Sequence, residues 1–260
     1  MAPDTLSLAG KVAIITGSGR ENGIGAAIAN ALARNGAAVT INYVSDSSAS
    51  RAAAVAKKIQ ESGGRAIVVK ASVDSPEDGQ RLVSETLKGF DTDHIDILVN
   101  NAGIITAHTS LDVSKDDVKS IFTVNVFGTI FLTQAVMQHM PPGGRIINIS
   151  SVASKMGMDI SPIYGASKAA MDSLSYAWAK EFGVSKGITV NSIAPGSVAT
   201  EISPAENMDT ANELNLAFTR AAKRIGTTED IADAVLLVVN EKSRWITGQY
   251  ISVSGGMTGQ

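Results

Sequence analysis

Tyr164 and Lys168 stand four residues apart in the run Tyr164-Gly165-Ala166-Ser167-Lys168, which reads as helix. That spacing puts a phenol and an ammonium on one helical face. A free phenol has a pKa of about 10 and exchanges protons poorly at neutral pH. A neighbouring ammonium favours the phenolate and lowers that value. The pair therefore suits general acid–base work on a carbonyl or an alcohol. Tyr-x-x-x-Lys also arises by chance, so the pair needs company. Ser150-Ser151 ends an apolar run a short loop earlier, where a hydroxyl could hold a carbonyl oxygen or merely cap a turn. Asn125 lies inside an apolar stretch, where asparagine costs helix propensity unless it anchors something.

A second constellation is Thr16-Gly17-Ser18-Gly19-Arg20-Glu21-Asn22-Gly23-Ile24-Gly25, between an apolar run and an Ala-rich helix. Such a turn lets backbone approach a pyrophosphate, and the helix N-terminus offers free N–H groups. A bare tight turn is the alternative. Its place behind the first strand of an alternating chain favours nucleotide binding. In NAD sites an acidic residue ending the second strand binds the adenosine ribose. Here that end reads Ile41-Asn42-Tyr43-Val44-Ser45, with no carboxylate before Asp46. Arg20 could meet a ribose 2′-phosphate, with Asn42, Tyr43 and Ser45 adding neutral hydrogen bonds, so the sequence points to NADP(H). The alternative has Arg20 facing solvent and Asp46 turned inward. Asn100-Asn101-Ala102-Gly103 is small enough to leave room for a cofactor beside this turn.

These residues need a frame that brings them together, and the chain supplies one. Short β-branched runs at 11–16, 38–43, 66–71, 95–100, 145–150, 189–194 and 250–253 read as strands. Helical stretches at 24–35, 48–62, 76–90, 114–140, 161–182 and 228–239 separate them. The alternation predicts an α/β fold: one Rossmann-type, doubly wound, parallel seven-stranded sheet with helices on both faces. The candidate residues then fall at the carboxyl ends of the strands, where open α/β sheets bind ligands. The chain reads as a single domain, with a nucleotide-binding half over about 8–105 and a catalytic and substrate-binding half over about 106–260.

Composition narrows the chemistry. With 260 residues, 44% hydrophobic and 18% charged, the chain can bury a substantial core. A net charge of −3 lacks the basic field that nucleic-acid binding uses. The absence of cysteine excludes disulfides, thiolate ligands and cysteine nucleophiles. Three scattered histidines (His94, His108, His139) argue against a metal site. No leader pattern opens the sequence and no apolar run approaches about 18 residues, so no membrane association and a cytoplasmic location are expected.

Taken in order, these pieces resemble the short-chain dehydrogenase/reductase family over essentially the full length. Pro195-Gly196 with Thr200, and Ile246-Thr247-Gly248-Gln249, complete the pattern. The resemblance implies that Tyr164 is the acid/base and Ser151, thirteen residues before it, the carbonyl-orienting hydroxyl. It implies that Lys168 binds the nicotinamide ribose and lowers the phenol's pKa, and that the main chain of Asn125 holds a relay water. Gly17, Ser18, Asn22, Gly23 and Ile24 would cradle the phosphates, and Asn101, Ala102 and Gly103 would flank the cofactor. Ser72 and Val73 would face adenine, while Pro195, Gly196, Val198 and Thr200 would receive the carboxamide and phosphate region. Two features depart from the family's pattern. Five residues separate Gly17 from Gly23 where three are usual, and Ser72 stands where an aspartate is common.

The implied reaction moves hydride between NADP(H) and a ketone, with Tyr164 protonating the developing alkoxide. The chain looks most like fungal polyketide or naphthol ketoreductases and 3-oxoacyl-[acyl-carrier-protein] reductases. Met156, Met158, Ile160, Ile202, Leu216 and Phe218 suggest an apolar pocket for an aromatic, polyketide-like ketone, with a substrate loop at about 200–222. An acidic carrier protein would want basic residues at the entrance, yet Lys119 is the one fixed positive charge over 116–140. Other readings are a non-catalytic NADP(H)-binding protein or a cofactor-assisted isomerase or dehydratase. Family members are usually tetramers, so a homotetramer or homodimer is expected, with Phe127, Phe131, Met171, Leu174 and Trp178 forming the apolar contact or else facing their own sheet.

Overall fold

The computed structural model describes residues 6–200 and 216–258. Its strands are β1 (Val12–Ile15), β2 (Ala38–Tyr43), β3 (Arg65–Lys70), β4 (Ile97–Asn100), β5 (Arg145–Ile149), β6 (Thr189–Pro195) and β7 (Tyr250–Val253). All pair in parallel, in the order β3-β2-β1-β4-β5-β6-β7. The order reverses between β1 and β4, which opens a crevice at their carboxyl ends. The single-domain, doubly wound fold expected from the alternation is the one observed.

Alternate residues of each strand feed opposite cores. Ala13, Ile15, Val39, Ile41, Val99, Ile147 and Ile193 join one cluster, with Ile28 and Leu32 of α1 (Ile24–Arg34), Val55 and Ile59 of α2 (Ala49–Glu61), and Val235 of α8 (Thr228–Val239). Ile14, Leu98, Ile146 and Val190 join the other, with Leu82 of α3 (Pro76–Phe90), Leu132 of α5 (Gly128–Met137) and Trp178 of α7 (Pro162–Lys186). Each fully buried isoleucine or leucine contributes about 1.5–3 kcal/mol. Both faces are covered, so the strands are continuously apolar.

The stretch read as one helix over 114–140 is three pieces. α4 (Lys115–Phe122) passes through a π-helical turn, Thr123–Phe127, into α5. A π turn takes one extra residue, and Asn125 lies inside it. A short helix, α6 (Ala153–Met156), lies where a loop was expected. The run Lys115–Met137 is also long and apolar enough in one window to cross a membrane, against the sequence expectation. Half of that window is buried in the fold, where Leu132 and Val136 pack into the core.

Candidate active site

The glycine turn is braced from three directions. Thr16 Oγ1 accepts hydrogen bonds from Asn101 N and Ala102 N, both at 2.9 Å. Asn101 Nδ2 donates to Thr16 O at 2.8 Å and Gly17 O at 3.2 Å. Gly17 has φ +60, and a Cβ there would stand 3.0 Å from Ala102 Cα. A side chain at Gly25 would meet Asn101 Nδ2 at 2.6 Å. Both positions therefore need glycine. Gly23 precedes α1 and gives it no side-chain cap, and no acidic residue lies in its first turn. By contrast Ser75, Ser114 and Thr227 cap α3, α4 and α8. Free N–H groups behind a bare cradle fit a dinucleotide pyrophosphate. Ile24 opens α1, and Asn22 stands exposed at the outer bend of the turn.

Two residues assigned to cofactor contact are struts instead. Asn42 is buried; its Oδ1 accepts from Gly17 N at 3.1 Å and its Nδ2 donates to Ala71 O at 2.9 Å. The expected bond from Asn42 to a 2′-phosphate is corrected accordingly, because the side chain already ties β1 to β3. Ser18 is buried as well, its hydroxyl donating to Ile15 O at 2.7 Å and accepting from Asn42 N at 3.0 Å. The Ser72 hydroxyl, assigned to adenine, donates to Asp74. Val73 packs against Gly128, where a Cβ would lie 2.9 Å from Val73 Cγ2.

The corner past β2 is cationic. Arg20 is exposed, next to Gly19, whose added Cβ would meet Tyr43 Cβ at 2.9 Å. Asp46 does not turn inward. Its Oδ1 is bound at 2.6 Å by Lys70 Nζ, and that hydrogen bond raises the lysine above its ordinary pKa. Ser45 Oγ shares hydrogen bonds with Ser47 Oγ (3.0 Å) and Ser48 Oγ (2.8 Å). The carboxylate of Asp46 is thus engaged away from the ribose position.

α7 carries Tyr164 and Lys168 across the crevice. Ser151 Oγ accepts from Ala153 N at 3.1 Å and lies close enough to the Tyr164 phenol to pull its pKa down. Ser150 is turned inward, its hydroxyl donating to Lys168 O at 3.4 Å. Lys168 is buried; Nζ donates to Ile149 O at 2.8 Å and lies 5.7 Å from the centre of the Tyr164 ring. Burial holds Lys168 down to about 8, opposed by the charge of Asp172. The phenol, expected to fall, is instead pushed up by burial, with the Ser151 hydroxyl pulling the other way. Desolvation outweighs an ammonium that is itself directed at a carbonyl.

Asn125 acts here through its side chain. Oδ1 accepts from Ile104 N at 2.9 Å, while Nδ2 donates to Ile104 O at 3.0 Å and Ser167 Oγ at 3.0 Å. Its main-chain carbonyl accepts from Thr129 Oγ1 at 2.8 Å. Ser167 in turn donates to Tyr164 O at 2.7 Å. Asn125 therefore ties the segment after β4 to the catalytic helix. Gly103 lies in the gap, where a Cβ would stand 3.2 Å from Asn125 Oδ1 and 3.3 Å from Lys168 Nζ. Sequence reasoning missed Thr16, Ser167 and Ile104 as parts of this frame; Ser167, inside the Tyr–Lys run, was the one open to discovery.

The remaining candidates lie at the rim. Val152 N donates to Pro195 O at 3.0 Å, and Gly196 packs so closely on Ser254 that a Cβ would meet its Cβ at 2.8 Å. Val198 bridges to Gly226, and Thr200 is half-buried. Met158 is half-buried in the segment between α6 and α7. Ile202 and most of the expected substrate loop lie outside the described residues. Of the apolar residues expected at a subunit contact, Met171 and Trp178 are buried in their own chain, Trp178 stacking on Phe182. Phe127 remains exposed.

A family model described as Enoyl-(Acyl carrier protein) reductase matches residues 17–258. The short-chain dehydrogenase/reductase FrzI of Cladobotryum is 40% identical over 256 residues, covering 96% of this chain and 97% of the relative. The chain belongs to the short-chain dehydrogenase/reductase family. As a short-chain dehydrogenase/reductase it is an oxidoreductase. The hydroxynaphthalene reductase-like protein Arp2 of Metarhizium acridum is 36% identical over 263 residues, covering 96% of each chain. A blue fluorescent protein from a metagenomic library, solved with NADPH, superposes with a TM-score of 0.89 at 34% identity, covering 97% of this chain and 99% of that one. The angucycline C-6 ketoreductase LanV with bound NADP gives 0.89 at 35% identity, covering 96% of each.

Proposed function

We propose that this short-chain dehydrogenase/reductase is an NADPH-dependent carbonyl reductase acting on an apolar, aromatic, polyketide-like ketone. One observation carries the reading: a phenol beside Ser151, backed by a buried lysine, stands across the crevice from an uncapped glycine cradle. When bound, the nicotinamide supplies the hydride chemistry. Ser151 holds the carbonyl oxygen and Tyr164 delivers the proton to it as the alkoxide develops. Lys168, fixed on Ile149 O, meets the ribose side of the cofactor, and Gly103 leaves the space for it. Arg20 receives the 2′-phosphate, with Asp46 kept away by Lys70.

The substrate class rests on the rim. Ile104 and Ile105 follow the β4 turn, and Met156 and Ile160 precede α7, all four exposed at the edge that bears Tyr164. One structural neighbour, the landomycin C-6 ketoreductase LanV, was solved with NADP and rabelomycin bound, which supports a ketone of that kind. Self-association through the face exposing Phe127 and Tyr176 completes the proposal.

The test is reduction of aromatic ketones with NADPH or NADH, followed by nicotinamide absorbance. Tyr164→Phe is expected to lose about 10²–10⁴-fold in kcat while still binding NADPH. Retained turnover would assign the proton to another donor. Equal affinity for NADH would remove Arg20 from the 2′-phosphate.

A further inference from the structure

The catalytic helix carries an ionisable group shut off from solvent that this reaction leaves unused. Asp172 follows Lys168 by four residues on α7, so the two side chains share a helical face. Both carboxylate oxygens of Asp172 are closed off from solvent, and neither has a hydrogen-bond partner among the described residues. A carboxylate taken out of water without donors is costly, and a fold keeps one where a neighbouring charge compensates it.

The groups around it can be named element by element. From its own helix comes Lys168. From β7 comes Tyr250, which feels the charge of Asp172 and whose buried hydroxyl also has no partner among the described residues. Against Tyr250 lie two residues of α6: Ser154, whose hydroxyl has no partner among the described residues, and Lys155, whose ammonium sits 4.1 Å above the Tyr250 ring centre. Lys155 is therefore turned onto an aromatic face. Tyr250 is held above its ordinary pKa, by burial first, and so stays neutral. Lys168 is the one buried cation of this group. Its contacts, Ile149 O at 2.8 Å and Met171 Sδ at 3.6 Å, carry no charge.

We propose that Asp172 is a positioning residue for the reaction, the fixed counter-charge that keeps Lys168 cationic in a site otherwise too dry for an ammonium. The link runs through space, since no hydrogen bond joins the two. The inference deepens the carbonyl-reductase reading, and it uses the lysine already placed under the cofactor ribose.

The experiment compares kcat/KM for ketone reduction against pH in the wild type, Asp172→Asn and Asp172→Glu. Asp172→Asn is expected to move the alkaline limb down by about one pH unit, a roughly tenfold loss on that limb. At pH 6 the variant should stay within about twofold of wild type, because Lys168 is charged there in both. Asp172→Glu should restore the limb. An alkaline limb that stays in place in Asp172→Asn overturns the proposal. If Asp172→Asn does not fold, Asp172→Ser removes the charge and is read in the same way. If the wild type reduces no ketone, the carbonyl-reductase reading fails by itself. NADPH affinity against pH, followed by nucleotide fluorescence, then decides Asp172: loss of binding at a lower pH in the variant supports it, and superimposable curves overturn it.

Discussion

At the amino ends of the strands Lys11 meets Asp96 at 2.8 Å and Arg145 meets Glu241 at 2.9 Å. Asp96 also accepts from Val12 N at 2.9 Å. At the carboxyl ends Lys168 is buried against a carbonyl, the Tyr164 phenol is desolvated, and α1 begins without a cap. The amino end thus pairs its buried ionic groups across strands, while around Tyr164 and Lys168 the carboxyl end leaves them without a charged partner in contact. The paired end adds to stability. The other end gives stability up so that cofactor and substrate can complete it.

Lys168→Met should show the largest contrast. We expect a loss of about 10²-fold or more in kcat/KM, since an electrostatic contact to the reacting assembly disappears. The same change should flatten the pH dependence of stability. The folded value of Lys168, about 8, lies below its ordinary 10.5. The cost of burying the ammonium is full below pH 8 and vanishes as pH rises through 10.5. The wild type should therefore gain on the order of 3 kcal/mol across that window, and the variant should not. Urea unfolding at pH 7.5 and 10.5 measures it.

Asp96→Ala tests the opposite end. It leaves the Val12 amide and Lys11 without their acceptor and should cost about 2 kcal/mol of stability. The kcat should be unchanged, and a drop would erase the division between the two ends. Lys70→Met is the smallest case. Freeing Asp46 beside Arg20 should weaken NADPH binding a few-fold and leave NADH binding alone, an effect on the scale of an exposed ion pair. Fluorescence titration with both nucleotides checks it, and Lys70→Met with Asp46→Asn should reverse the loss.

The sequence made some of this plain. Tyr164 and Lys168 were visible because helical spacing alone aligns them. The strands were visible because apolar runs end at Gly17, Asn101 and Ser150. The inward turn of Asn42 was not, because a strand buried on both faces loses the alternation that tells its sides apart. The grip of Lys70 on Asp46 was hidden for another reason: it joins the ends of two strands, β2 and β3, that only pairing brings together. The split of the long helix showed only as Asn125 in an apolar stretch, which marks an anchor and not a change of helical pitch.

That extra residue has a consequence for inheritance. Each step along an α-helical coil rotates it by about 100°, so a one-residue deletion between Thr123 and Phe127 would swing everything downstream around the axis. Leu132 and Val136 would leave the sheet, and Asn125 would lose its hold on Ile104. Core and reaction centre are geared together there, so drift can exchange side chains in that turn more readily than it can shorten it.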